Sequence, residues 1–296
     1  MRTTNLCIGL PWYQGPDPHT YHPNQGFIGY LNALSERTAW RMELGHEEFM
    51  KHLPNMASLS GNMEDPLAEP TEEDYKRLGM LQLCSIDGQG VSLVGMAREN
   101  IVDSALSWGA DYLLWWDDDM LFPFSTFLRL WRHQKPVISA LAFAARSPVW
   151  PVIHRIRNRK EPRTGEKQYF SERVLDYPKN KLISDEDIGG ALGVGASTML
   201  MDMRVFRQIE RPWFHSTGCG EDYFFCVRCH EHSVRIYLDT SLKNRHLKYD
   251  PEWIDEDYYE KYKAAHPEEY EGMKFTSAFE MTEEGLKNPA LAVIDE

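Results

Sequence analysis

The sequence predicts an α/β fold, with a mostly parallel central sheet flanked by helices and a short C-terminal helical extension. Three observations carry that expectation. Residues 112–116, Tyr-Leu-Leu-Trp-Trp, form a short unbroken apolar run, as expected for a strand buried on both faces. Just before it, residues 92–107 carry Val94, Ala97, Ile101 and Ala105 at helical spacing, with Gly109 placed to end the helix. Before that, residues 81–86 read as another strand, closed by Asp87-Gly88. Strand, helix, strand in succession is the crossover unit of a parallel sheet.

The remaining elements follow in order. Residues 4–11 read as a first buried strand that stops at Pro11, which lacks the amide proton to continue a ladder. Residues 12–24, rich in Pro, Gly and aromatics, read as a loop, and residues 27–52 as a polar helix. Residues 54–72 look like a long exposed connection. Residues 123–134 predict a helix and 136–143 another strand. Small residues at 189–198 precede an apolar strand ending near Asp202. A helix opens at Gly220-Glu221-Asp222, and residues 234–247 predict a strand whose following loop ends in His246. From 251 onward the chain is acidic and Tyr-rich, read as helical packing or a tail. No internal repeat or low-complexity tract is present.

The chain has 296 residues and a net charge of −13. That charge disfavours nonspecific binding of nucleic acid or anionic membrane, so an anionic substrate needs a local basic site or a metal. Five cysteines are too few and too unevenly spaced for a disulfide framework. The N-terminus has no long apolar core, and no apolar run reaches the length of a membrane span. A soluble cytoplasmic protein with reduced thiols is expected.

The chemistry concentrates at Asp117-Asp118-Asp119, directly after the apolar run. If the strand continues, Asp117 and Asp119 point together at its carboxyl end, with Asp118 opposed. Ligands of open α/β sheets bind at that end. Two such carboxylates repel unless a cation sits between them, and hard divalent ions prefer oxygen ligands. The bland alternative is an acidic turn. Asp222 stands on the first turn of its helix, where the dipole favours an acid. It is either a plain N-terminal acid or a base at the mouth of a site. His246 is either an ordinary surface histidine or one returned to the site by the last strand.

Residues 154–168 hold six Lys or Arg against two Glu. They form either a solvated hairpin or loop, or a basic flap over an anionic ligand. The glycines around Gly193 and Gly195 allow close approach of backbone to a ligand, but no Lys follows them as in a phosphate loop. The Cys-Val-Arg-Cys-His stretch at 226–230 has the letters of a haem attachment motif inside a helix, and buried free cysteine is the better reading. A zinc site that adds Cys219 stays open.

Taken together, Asp117-Asp118-Asp119, Glu221-Asp222, His246, Leu10-Pro11-Trp12-Tyr13 and Ala97-Arg98-Glu99-Asn100 resemble the motifs of GT-A glycosyltransferases. The resemblance spans most of residues 4–247 and implies a GT-A, Rossmann-like sheet. Residues 1–250 would be one domain, with 1–120 holding the nucleotide sugar and 121–250 the acceptor, and 251–296 an acidic extension. It further implies Mn²⁺ or Mg²⁺ on Asp117, Asp119 and His246, and a UDP- or GDP-sugar donor bound by Pro11, Trp12, Tyr13, Asp87, Arg98 and Asp118. Asp222, with Glu221, would carry catalysis by an inverting route. The acceptor side would draw on Gly193, Gly195, Arg155, Arg157 and Trp213. Glycan, protein, lipid head group and modified nucleobase remain open as acceptors, as does the oligomeric state. The chain departs from the family after the second strand, where the acidic base-binding signature is reduced to Asp87-Gly88. Two other classes stay open: a sugar-phosphate nucleotidyltransferase, though its Gly-rich basic loop is missing after residue 11, and an inactive nucleotide-sugar-binding module.

Overall fold

Five strands running one way build the centre of the molecule. In this computed structural model the described residues are 2–11, 18–52, 65–88, 93–160, 162–163, 165, 167–215, 220–247, 253–271, 273 and 281–282, with backbone alone for 18–26, 46, 66 and 281–282. In chain order they form β1 (Thr3–Leu10), α1 (Pro18–Leu44), α2 (His46–His52), α3 (Glu72–Leu78), β2 (Met80–Asp87), α4 (Val94–Trp108), β3 (Tyr112–Trp115), β4 (Met120–Leu121), α5 (Thr126–Arg132) and β5 (Val137–Leu141). There follow β6 (Ile153–Lys160), β7 (Lys167–Arg173), β8 (Leu182–Ile183), α6 (Asp185–Ile188), β9 (Ala191–Val194), β10 (Met199–Asp202), α7 (Val205–Gln208) and α8 (Glu221–Glu231). The last are β11 (Ile236–Lys243), β12 (Arg245–Leu247), β13 (Trp253–Ile254), α9 (Glu256–Ala265) and β14 (Met281–Thr282).

The central sheet has the order β2-β1-β3-β10-β5-β11-β8, with β10 and β8 antiparallel to the other five. The expected α/β architecture is therefore present. Successive residues of the apolar run go to opposite faces, as strand geometry requires. Leu113 and Trp115 join one buried cluster, and Leu114 and Trp116 join the other. Gly9 on β1 makes room for this packing, since a Cβ there would run into the Trp115 ring.

Several boundaries differ from the sequence expectation. Residues 18–24 are the start of α1 and not loop; Pro18 sits at the first helical position, where its missing N–H costs nothing. The single helix expected over 27–52 is split at Gly45, whose φ of 83° breaks the ladder. The exposed connection ends early in α3, where Thr71 and Asp74 cap each other's backbone N–H. The basic segment is a β6–β7 hairpin, paired from His154↔Arg173 to Lys160↔Lys167. The small-residue stretch yields two strands, because residues 195–198 carry the chain from β9, paired with β6, to β10 in the central sheet. Residues 253–254 and 281–282 add short strands to β12 and β7, and Tyr259 of α9 is buried in the core.

Candidate functional site

The parallel strands end together, and the acidic residues collect just beyond them. β3 stops at Trp115, so Asp117–Asp119 lie in a turn and not in the strand; strand alternation is not what aims them. The turn is closed by the Met120 N–H donating to the Asp117 carbonyl at 3.2 Å, and the Asp117 N–H donates to Ser197 O at 3.1 Å. β4 then pairs with β12 in the register Met120↔His246. The Leu247 N–H donates to Asp119 O at 2.9 Å. This small ladder carries His246 to Asp119, with Nε2 2.9 Å from Asp119 Oδ2.

The His246 ring is oriented from behind. Its Nδ1 lies 2.6 Å from the Phe143 carbonyl. A carbonyl only accepts, so Nδ1 carries the proton. In neutral histidine Nε2 then turns a lone pair toward a carboxylate oxygen, and a proton or a cation must lie between them. Burial opposes charge on the ring, but the hydrogen bond and charge of Asp119, aided by the Phe143 carbonyl, raise its pKa above the ordinary value.

Arg98 joins this pair to α8. Its side chain is only 3% exposed. Nη2 reaches both Asp117 oxygens, at 2.9 and 3.1 Å, Nε reaches Glu221 Oε1 at 3.3 Å, and Nη1 donates to Ala196 O at 3.4 Å. The guanidinium lies over Trp115, 5.0 Å from the ring centre. Burial raises the Asp117 carboxyl pKa. Arg98 opposes that rise, and Asp119 and Glu221 add to it.

Asp222 stands beside this network. Its Oδ1 accepts the Tyr223 N–H at 2.8 Å. Burial first, then the charge of Glu221, pushes its pKa up to about 7, against the opposing pull of Arg98. Gly195 lines the same place: a Cβ there would stand 3.7 Å from Asp222 Oδ2 and 3.0 Å from Val152. Gly220, at φ 93°, lets the chain turn into α8. A half-buried carboxyl poised near neutral pH can take a proton from a hydroxyl and later release it.

The structure therefore brings Asp117, Asp119, His246, Arg98, Glu221, Asp222 and Gly195 together. The other expected residues lie elsewhere or nearby. Pro11 is buried directly after β1, and Asp87 is exposed at the end of edge strand β2, paired with Leu10. Asp118 is the half-buried middle of the acidic turn. Trp12, Tyr13 and Cys219 fall outside the described residues. Gly193 pairs with His154 and packs against Ile156 and Tyr223. Arg155 and Arg157 both reach Glu172 Oε2 at 3.0 Å, so these two are held within the chain. Trp213 is buried and donates its indole N–H to Ile209 O at 2.7 Å. Cys226 and Cys229 are buried free thiols.

Sequence reasoning missed Glu99. This buried carboxylate accepts the backbone N–H groups of Trp213 and Phe214 and pairs with Arg211 at 3.0 Å, tying the segment before α8 to α4. The sequence shows it only within Ala97-Arg98-Glu99-Asn100, off the Val94, Ala97, Ile101 and Ala105 stripe.

The donor types, though not their spacing here, suit a divalent ion. Two carboxylates and an imidazole with its far nitrogen fixed suit Mn²⁺ or Mg²⁺. The Asp119–His246 contact is already made, whereas Asp117 is turned to Arg98. Among the described residues, three ligand atoms all lie within 4.8 Å of one another only at His266, Glu268 and Glu269, near the C-terminal end of α9.

No family model and no curated protein matches the chain. Among solved structures, the crystal structure of A197 from STIV is similar at a TM-score of 0.41 and 14% identity, covering 86% of this chain and 94% of that one. A CMP:2-keto-3-deoxy-manno-octonic acid synthetase complexed with CTP is similar at 0.35 and 13%, covering 90% of this chain and 100% of that one. Likenesses at these scores decide nothing about activity. Among the described residues no helix is long and apolar enough to cross a membrane.

Proposed function

We propose that the chain is a metal-dependent GT-A glycosyltransferase that moves a sugar from a nucleotide-sugar donor to an acceptor hydroxyl with inversion. The observation that carries this reading is the meeting of Asp119 and His246 at 2.9 Å beyond the parallel strands, beside the Arg98-linked Asp117 and Glu221. Asp117, Asp119 and His246 would hold the divalent ion, which supplies neutralisation of charge on the departing nucleoside diphosphate. Arg98 keeps Asp117 and Glu221 in fixed positions. Asp222 takes the proton of the attacking hydroxyl at its Oδ2, the oxygen that faces Gly195. A Cβ at 195 would meet Val152 at 3.0 Å before it met that oxygen.

The test is hydrolysis and transfer with a panel of UDP- and GDP-sugars, with Mn²⁺, with Mg²⁺ and with chelator. Metal-dependent release of nucleoside diphosphate is expected. Turnover that survives chelation, or release of pyrophosphate from a nucleoside triphosphate and a sugar phosphate in place of it, would overturn the reading.

A further inference from the structure

Away from the acidic cluster, two arginines gather at one place. Arg146 lies between β5 and β6, and Arg173 ends β7. Their guanidinium carbons stand 5.1 Å and 3.9 Å from the Trp150 ring centre, hence within about 9 Å of each other. Trp150 is buried and fixes both. Among the described residues neither arginine has a carboxylate partner, and Arg173 Nε is buried with no hydrogen-bond acceptor. Burial, then the charge of Arg146, lowers the Arg173 pKa, as expected for two cations held together. The neighbouring Arg155 and Arg157 differ, because Glu172 holds both.

Arg173 borders space for a ligand and lies on the Asp222 side. A cavity of about 420 Å³ is lined by Arg173, Arg155, Arg157, Glu172 and Asp176, among others. Across the hairpin, Arg173 pairs with His154, whose ring sits 4.3 Å from Tyr223, the residue after Asp222. His154 adds no charge, since burial and Arg173 push it down to about 3.

We propose that Arg146 and Arg173 form a subsite for a phosphoryl group carried by the acceptor. Two guanidinium forks match the charge and the several acceptor oxygens of a phosphate dianion, whereas a carboxylate matches one fork. In a chain of net charge −13, an anionic acceptor needs such a local site. The word acceptor rests on the glycosyl-transfer reading; the binding does not.

The test is calorimetry of the full chain with inorganic phosphate, without divalent ions, at low and high salt. The parent should bind phosphate, more weakly as salt rises, and bind acetate at least tenfold more weakly. Arg146→Gln and Arg173→Gln should each weaken phosphate at least tenfold. Arg204→Gln, at an exposed arginine paired with Asp202, should leave it unchanged. Arg146 is exposed, so its variant alone carries the test if Arg173→Gln fails to fold. Asp119→Ala should retain phosphate binding. No binding by the parent, undiminished binding by Arg146→Gln, or acetate bound as tightly as phosphate would overturn the subsite. Phosphate binding that stands while no nucleotide sugar is turned over would overturn the transfer reading and leave the subsite.

Discussion

Replacing Asp222 by Asn should slow transfer and stabilise the fold at the same time. The carboxyl is raised from 3.8 to about 7, by burial first and then by Glu221. At about 1.4 kcal/mol per unit, keeping it ionised in the folded chain costs on the order of 4 kcal/mol. The group is half-buried, so solvent screening trims this to about 2 kcal/mol. The sign follows from proton binding. Between pH 4 and 7 the folded chain holds a proton that the unfolded chain has lost, so this contribution to stability is complete below pH 4 and is lost as pH rises through 7. Asn cannot ionise, still accepts the Tyr223 N–H, and escapes that loss. Thermal unfolding should therefore show Asp222→Asn about 5 °C above the parent at pH 8, with the two coinciding near pH 4. The initial rate of transfer should fall roughly a hundredfold, the scale of losing a general base. In the parent, the rate should rise with pH through about 7 as Asp222 loses its proton. A variant that is fully active, or whose stability tracks the parent at both pH values, would refute the assignment.

Three further outcomes follow from the same geometry. Mn²⁺ should raise the Tm of the parent and support nucleoside diphosphate binding by calorimetry, and Asp119→Ala and His246→Ala should lose both effects; an equal Mn²⁺ response in the variants would remove them from the metal site. Gly9→Ala should cost about 1–3 kcal/mol in denaturant unfolding, because the added Cβ meets the Trp115 ring and Ile101 Cγ2; an unchanged midpoint would mean the sheet yields there at no cost. Glu99→Ala strands the buried N–H groups of Trp213 and Phe214 and should cost about 3 kcal/mol, with transfer falling further than stability predicts as α8 loosens; wild-type kinetics in the folded variant would sever Glu99 from the site.

What the sequence made legible was local. The 112–116 run, the α4 periodicity with Gly109, and the acids after the run each declare themselves within one element, and the structure holds all three. The hairpin at 154–168 was one of two readings, and two of its arginines, Arg155 and Arg157, pair with Glu172, a residue just beyond that segment. Long-range pairing was not legible. The β4–β12 register that brings His246 to Asp119 joins residues 127 apart, and nothing in either segment announces the other. The state of Asp222 was undecidable for the same reason. A helix dipole alone keeps an N-terminal acid ionised, but here burial and a second carboxylate win. Asp117 is raised by the same kind of balance. Four carboxylates, Asp117, Asp119, Glu221 and Asp222, converge, and among the described residues the arginine that pairs with them, Arg98, already serves Asp117 and Glu221. Such a cluster must hold extra protons or admit a further cation. The raised carboxyls of Asp117 and Asp222 and the lone pair that His246 turns on Asp119 are three expressions of that one imbalance. Each acid can be read from the sequence, but the arginine that Asp117 and Glu221 share appears only when the chain is folded.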